Sequence, residues 1–397
     1  MQRSMRLISF GLAVGVAVSL AACSESTGES TDGSGDSSAA AGEGPIKIGV
    51  VLDITGPGAS LGGPERDTVQ MLADKLKEDG GINGREVEVI IEDNGSTEDG
   101  AAKATNKLLN TDKVDILLGA SRTGPSLAMR PIVEPAEKPM ISFAANVAII
   151  DDAKWVFKTA QNDRVVLEKM ADDMKAKGYA KIAVARDSSG FGEGVPEMLA
   201  EIGQDQGLEV VKVEKFAPNQ TDFTPQMISL RDANPDAVLI WGIPPAASAA
   251  QVSYNNLIED VPVYHSHGIG NKVFLDNAGD SANGVLAPLG RMLVADQLAD
   301  DDPQKPVVTQ FIADYTDKYG KAPSTFAGHA YDGFTLAVNA LEKVGTDPEK
   351  LRAELEATKD WPGISGVFTM SPDDHSGLTK DALVMVTVED GKWKVAG

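Results

Sequence analysis

Two kinds of hydrophobic run alternate along this chain. IKIGVVLDIT (46–55) is apolar almost without a break, the pattern of a parallel strand covered on both faces. After it, Val69, Leu72, Ala73 and Leu76 recur at helical spacing. Pro64 is expected in the first turn of that helix, and Gly80-Gly81 ends it. EVEVIIED (86–93) reads as the next strand, followed by a helix that opens on the capping-box-like Ser96-Thr97-Glu98-Asp99 and buries Ala101, Ala104 and Leu108. VDILLGA (114–120) completes a third unit. The same alternation predicts helices near 124–136, up to Gly178, through 198–206 and around 222–233, with strands at 139–145, 181–187, 208–216 and 237–242 between them. Strand and helix at this period predict an α/β protein of open parallel sheets with helices on both faces. Ligands of such sheets sit at the carboxyl ends of the strands, so the residues just after each strand are the ones to inspect.

The amino terminus is of another kind. Residues 1–22 read as a secretory signal, with Arg3 and Arg6 in the basic segment, Leu7 to Leu20 as the apolar core and small residues before Cys23. That core is too short for a membrane span. Leu20-Ala21-Ala22-Cys23 resembles the bacterial lipobox, so Cys23 is the expected lipidation site. No other cysteine exists, and the mature chain has no internal disulfide. Residues 24–44 contain no large apolar side chain, so 23–45 is expected to be a flexible tether. The formal net charge of −23 opposes binding to nucleic acid or to anionic lipid surfaces. Membrane attachment is therefore expected through the lipid anchor alone.

Catalytic and cofactor chemistry finds little support. GPGASLGG (56–63) follows a strand but lacks the Lys-Ser/Thr of a phosphate loop and the spacing of a dinucleotide fingerprint. No G-x-S-x-G nucleophile elbow is expected, and a single lipidated cysteine excludes thiol catalysis. The chain is read as a non-enzyme without cofactor. Four histidines occur, two of them in YHSHGIGN (264–271). Residues i and i+2 of a strand share a face, so His265 and His267 suit a metal; the only nearby third ligands, Asp260 and Asp276, are poorly spaced. Metal ligation, a structural pair and ligand contact all stand as readings at this point.

IKIGVVLDITGPGASLG, GGINGREVEVIIEDNGS, GFGEG, TDFTPQM and AGDSANGVLAP together resemble the periplasmic leucine/isoleucine/valine-binding protein family, the receptors of branched-chain-amino-acid-type ABC transporters, from Ile46 to about Trp393. The resemblance implies a type I periplasmic binding fold, two α/β lobes joined by a three-segment hinge and closing around a ligand. Crossovers are expected near Lys158–Gln161, Leu286–Leu289 and Pro362–Gly366. Lobe I would then hold 46–159 and 289–363, and lobe II 160–288 and 364–397. It also implies a monomeric, extracytoplasmic receptor that delivers a small-molecule carboxylate to ABC permease subunits. A receptor of the same fold coupled to a signalling partner is the alternative.

Carried over residue by residue, the family places Ser121, Arg122 and Thr123 after the third strand, and Ala144, Ala145 and Asn146 after the fourth, around the ligand carboxylate. Asn146 replaces the usual threonine. Relatives that bind amino acids hold the ammonium with a tyrosine and an acidic residue, where this chain has Phe191 and His267. A buried ammonium without a counter-charge loses several kcal/mol, a large share of the roughly 8 kcal/mol of a micromolar receptor. The expected ligand is therefore an aromatic acid rather than a free branched-chain amino acid, with oxo acids and short fatty acids remaining and a branched-chain amino acid as the alternative. Leu61, Phe191, Trp241 and Ile243 would form the apolar wall. Tyr331 either closes the cleft or joins the core, and His375, in SPDDHSG, is expected to be solvated.

Overall fold

The computed structural model describes residues 44–258 and 260–396. The signal segment, Cys23 and nearly all of the tether lie outside the described residues.

Lobe I is built on five parallel strands, β1 (Ile46–Leu52), β2 (Val87–Asp93), β3 (Ile116–Gly119), β4 (Met140–Ser142) and β5 (Val156–Lys158), in the order β2-β1-β3-β4-β5. Successive strand residues face opposite sides, which divides the apolar run of β1 between two cores. Ile46, Ile48, Val50 and Leu52 pack with Val69 of α1 (Ala59–Glu78) and Phe334 of the later α10 (Thr325–Val344). Val51 packs the other way, with Ala104 of α2 (Glu98–Lys107) and Met129 of α3 (Thr123–Val133).

Lobe II carries seven strands in the order β14-β13-β10-β9-β8-β6-β7. Five of them are parallel: β6 (Lys181–Asp187), β7 (Glu209–Phe216), β8 (Ala237–Trp241), β9 (Val263–His265) and β10 (Leu286–Gly290). The last two, β13 (Leu383–Glu389) and β14 (Lys392–Val395), are antiparallel, so the sheet is mixed where an all-parallel one was expected. A tight turn at Asp390-Gly391 joins them, and such a connection permits only antiparallel pairing. Helices α4 (Asp163–Ala176) and α5 (Val195–Gln206) cover one face, and α6 (Thr224–Arg231), α7 (Ala246–Leu257) and α8 (Lys272–Ala278) the other.

Three expectations are corrected. Helix α1 begins at Ala59, with Gly58 as its N-cap, so Pro64 lies inside it and Gly62 and Gly63 belong to its first turns. Gly62 explains this: a Cβ there would stand 2.3 Å from the carbonyl oxygen of Asp53, so only glycine lets the helix lie directly on the end of β1. The third crossing is also displaced. After α9 (Lys305–Tyr319), α10, α11 (Pro348–Glu356) and a ribbon of β11 (Trp361–Pro362) with β12 (Val367–Phe368), the chain stays with lobe I. Phe368, Met370, Leu378 and Ala382 join the core of Ile48 and Phe334, and the chain enters the second sheet only at Leu383. Within that segment His375 is buried rather than solvated. Its ring stacks on Phe157 with centroids 4.0 Å apart, and Nδ1 lies 3.0 Å from the carbonyl oxygen of Val156. Tyr331 packs against Phe311, centroids 4.9 Å apart, in a lobe I cluster away from the cleft.

Candidate functional site

The carboxyl ends of both sets of strands meet at a cavity between the lobes. Lobe I contributes Ser121, Arg122 and Thr123 directly after β3, Phe143, Ala144 and Ala145 after β4, Leu61 from α1, and Phe326 and His329 from α10. Lobe II contributes Asp187 from the end of β6, Ser189 and Phe191 after it, Ile243 after β8, and His267 and Gly268 after β9. Ala160, in the first crossing, completes the lining.

On lobe I the polar end of the cavity is the start of α3. The first amides of a helix have no partner inside it and carry the positive end of its dipole. Beside them the Thr123 hydroxyl is enclosed, and Oγ1 has no hydrogen-bond partner in the protein. Ser121 and Arg122 also line the cavity, but their side chains are otherwise engaged. The Ser121 hydroxyl accepts from the Asp53 amide at 3.0 Å and donates to Glu65. Burial raises the Glu65 pKa well above its ordinary value. The Arg122 guanidinium pairs with the wholly buried Asp53 and donates to the Ser96 carbonyl at 2.5 Å. Asn94 donates to the other Asp53 oxygen at 2.7 Å. The anion site of lobe I therefore rests on Thr123 and backbone amides, with Arg122 a neutralised neighbour.

On lobe II the histidine pair is split. Strand β9 ends at His265 and a short 3-10 turn begins at His267, which breaks the two-residue period that would have put both rings on one face. His265 points into the sheet's other core, with Nε2 2.7 Å from Gln251 Oε1 and its ring against Phe274. His267 points into the cavity, edge-on to Phe191 at 5.7 Å and to Trp241 at 5.9 Å, and its Nδ1 is unpartnered. Burial lowers the His267 pKa to about 3, helped by His329 and Lys158, so at neutral pH it offers a hydrogen bond and no charge. Burial likewise lowers His329 to about 3, and its Nδ1 lies 2.8 Å from Ser365 Oγ. Among the described residues no group of three His, Cys, Asp or Glu side chains could hold a metal.

Two expected site residues, one of the apolar wall and one of the carboxylate turn, lie outside the cavity lining. Trp241 is fully buried behind Phe191, centroids 5.3 Å apart, and its indole N–H donates to the Phe191 carbonyl at 3.0 Å. It fixes the cavity wall instead of forming it. Asn146 spans the cleft: its Nδ2 donates to the Gly190 carbonyl of lobe II at 3.0 Å, while Oδ1 accepts from the Ala148 amide. Thr325 makes a second bridge, donating to the Gly270 carbonyl from its amide at 3.1 Å and its hydroxyl at 2.9 Å. The lobes are thus closed over the cavity. At Gly190 a Cβ would meet Thr123 Cγ2 at 3.2 Å. Gly190→Val is therefore expected to leave the stability of the unliganded protein unchanged and to weaken ligand binding about tenfold, the cost of overpacking a contact made only on closure. Calorimetric titration beside a thermal melt checks both halves.

Sequence reasoning missed Phe143, Ala160, Asp187, Ser189, Gly268, Phe326 and His329. Phe326 and His329 were within reach, because residues three apart share a helix face. Asp187 brings a carboxylate to the lobe II side of the cavity, apart from the Phe191 and His267 positions considered from the sequence. It lines the cavity, and its Oδ1 accepts from the amide and hydroxyl of Ser189 at 2.9 and 2.6 Å. Burial raises its pKa, partly offset by those donors and by Arg122. The run Gly58-Ala59-Ser60-Leu61-Gly62 spells G-x-S-x-G, but Ser60 sits inside α1 and its Oγ has no base beside it.

Residues 45–392 match the family model described as periplasmic binding protein. The leucine-, isoleucine-, valine-, threonine- and alanine-binding protein of Pseudomonas aeruginosa is 27% identical over 322 residues, covering 79% of this chain and 82% of its own. An extracellular ligand-binding receptor from Rhodopseudomonas palustris HaA2 is 28% identical with a TM-score of 0.83, covering 89% of this chain and all of that one. The substrate-binding protein LivJ of a Streptococcus pneumoniae branched-chain amino acid transporter, solved with isoleucine, shares the fold at a TM-score of 0.78 and 24% identity, covering 88% of this chain and 98% of that one.

Proposed function

This chain belongs to the periplasmic binding protein family, whose members bind transporter substrates and are not enzymes, and on that premise we propose that it captures a small amine-free carboxylate, an aromatic acid in preference to a free branched-chain amino acid, for an ABC importer. One observation carries the reading: a buried, unpartnered Thr123 hydroxyl at the start of α3 faces, across an apolar cavity, a neutral His267 held by Phe191 and Trp241. The carboxylate sits against Thr123 and the first amides of α3, where an anion is favoured. The ring lies among Leu61, Phe143, Phe191, Ile243 and Phe326, and His267 donates to a hydroxyl or carbonyl on its far side. The two bridges then lock the closed form that a permease would recognise.

Asp187 favours a second reading, a branched-chain amino acid whose ammonium pairs with it. Against this, the Ser189 donors already occupy one of its oxygens, and burial raises its pKa. The lipid anchor at Cys23 belongs to the same proposal, and the intact mass of the native protein checks it.

Thr123→Val tests the carboxylate site. Oγ1 has no partner in the protein, so the substitution is expected to leave stability within about 0.5 kcal/mol while removing a hydrogen bond to a charged group, a loss of about 2 kcal/mol in binding. Calorimetric titration with 4-hydroxybenzoate should show affinity falling about thirtyfold. Undiminished affinity would place the carboxylate elsewhere.

A further inference from the structure

Beyond the Thr325–Gly270 bridge lies a second recess, open to solvent, that also spans both lobes. Ser60, Pro64, Ile312, Tyr315 and Ser324 come from lobe I, with Met292 packed beside Tyr315, and Asn271, Leu275 and Trp393 come from lobe II. The bridge separates it from the ligand cavity: Leu61, Gly268 and Phe326 line the cavity, and Ser60, Asn271 and Ser324 line the recess.

Three polar side-chain atoms enclosed at this recess have no hydrogen-bond partner, Ser60 Oγ, Asn271 Nδ2 and Ser324 Oγ. Asn271 is 2% exposed and Ser324 8%. Buried polar atoms are normally paired, and three orphans converging on one recess mark a place built to receive a partner. Asn271 shows the division of labour. Its Oδ1 caps α8 by accepting from the Phe274 amide at 2.9 Å, which leaves the Nδ2 donor free for the recess. Ser324 stands at the start of α10 but makes no capping bond with its side chain, so its hydroxyl is also free. The remaining wall, from Met292, Leu293, Ile312 and Trp393, is apolar. Lys272 and Lys321 at the edge are paired with Asp276 and Asp67, so local charge is balanced and the selecting feature is the set of donors.

We propose that this recess is a second binding site, for a small organic carbonyl or carboxylate compound with an apolar body, whose acceptor oxygen takes the Asn271 and Ser324 donors. Because its walls come from both lobes, an occupant holds them closed. It therefore raises affinity in the ligand cavity, and by reciprocity the cavity ligand raises affinity in the recess. The proposal does not depend on which acid the cavity takes.

Two indoles report on the two sites separately: Trp393 lines the recess, and Trp241 donates to the Phe191 carbonyl in the cavity wall. Indole ¹H–¹⁵N spectra of the whole protein would be followed during titration with phenylacetate and, separately, with phenylacetamide, the Trp393 signal being assigned from Trp393→Phe. The expected result is a saturable shift of the Trp393 signal. Asn271→Asp keeps the helix cap and removes the donor, and Ser324→Ala removes a hydroxyl that caps nothing; each should weaken that response about fivefold, the worth of one hydrogen bond. A response to both compounds assigns recognition to the carbonyl oxygen, and a response to phenylacetate alone assigns it to the carboxylate. A Trp393 signal that stays still at millimolar concentrations of both probes, or that titrates identically in both variants, would overturn the proposal.

Discussion

Replacing Asp53 with alanine is expected to lower unfolding stability by about 3 kcal/mol. Asp53 is wholly buried at the end of β1, pairs with the Arg122 guanidinium and accepts from Asn94. Its removal leaves a cation without its counter-charge and an amide donor without an acceptor, and an orphaned buried group costs more than the pair had gained. The figure is at the low end of the range for broken buried pairs because Arg122 keeps 17% side-chain exposure and can reach water. Urea denaturation should show a lower midpoint at unchanged slope. Ligand affinity should fall with it, since the Asp53 carboxylate also holds Arg122 beside the start of α3. A midpoint equal to that of the parent would mean that the pair contributes nothing.

His267→Glu should produce the largest change in binding. The new carboxylate would sit among Phe191, Trp241 and Ile243, where an unpaired charge costs several kcal/mol. An amine-free acid cannot supply the missing cation, so its affinity is expected to fall about a hundredfold or more. Leucine brings an ammonium and should gain relative to it. Titration of the variant with both ligands reads the change directly. Retained affinity for the aromatic acid would remove His267 from the site.

The sequence shows the fold well and the site unevenly, for physical reasons. Continuous apolar runs such as IKIGVVL mark buried strands because both of their faces are covered, and β1, β3, β6 and β8 lie where those runs are. The antiparallel β13 and β14 and the late third crossing were hidden, because Leu378 and Ala382 look like any apolar pair until their packing partner is known. The resemblance brought Thr123, Phe191 and His267 to the cavity, since each follows a strand end. It also named Asn146 and Trp241, whose side chains stand outside the cavity lining. Motif position fixes where a backbone passes and not which way a side chain turns, and Asn146 turned across the cleft to Gly190. Asp187 and His329 were missed because a buried polar group leaves no trace in hydrophobic periodicity.

The central claim is that the cavity takes an acid without an amine. Calorimetric titration of the protein, from about residue 45 onward, with 4-hydroxybenzoate and with leucine tests it most directly. Saturable one-to-one binding of the aromatic acid is expected, at least about tenfold tighter than that of leucine, the effect of one unpaired ammonium at its smallest. Tight binding of leucine with none of 4-hydroxybenzoate, lost on Asp187→Asn, would contradict it and assign Asp187 to an ammonium.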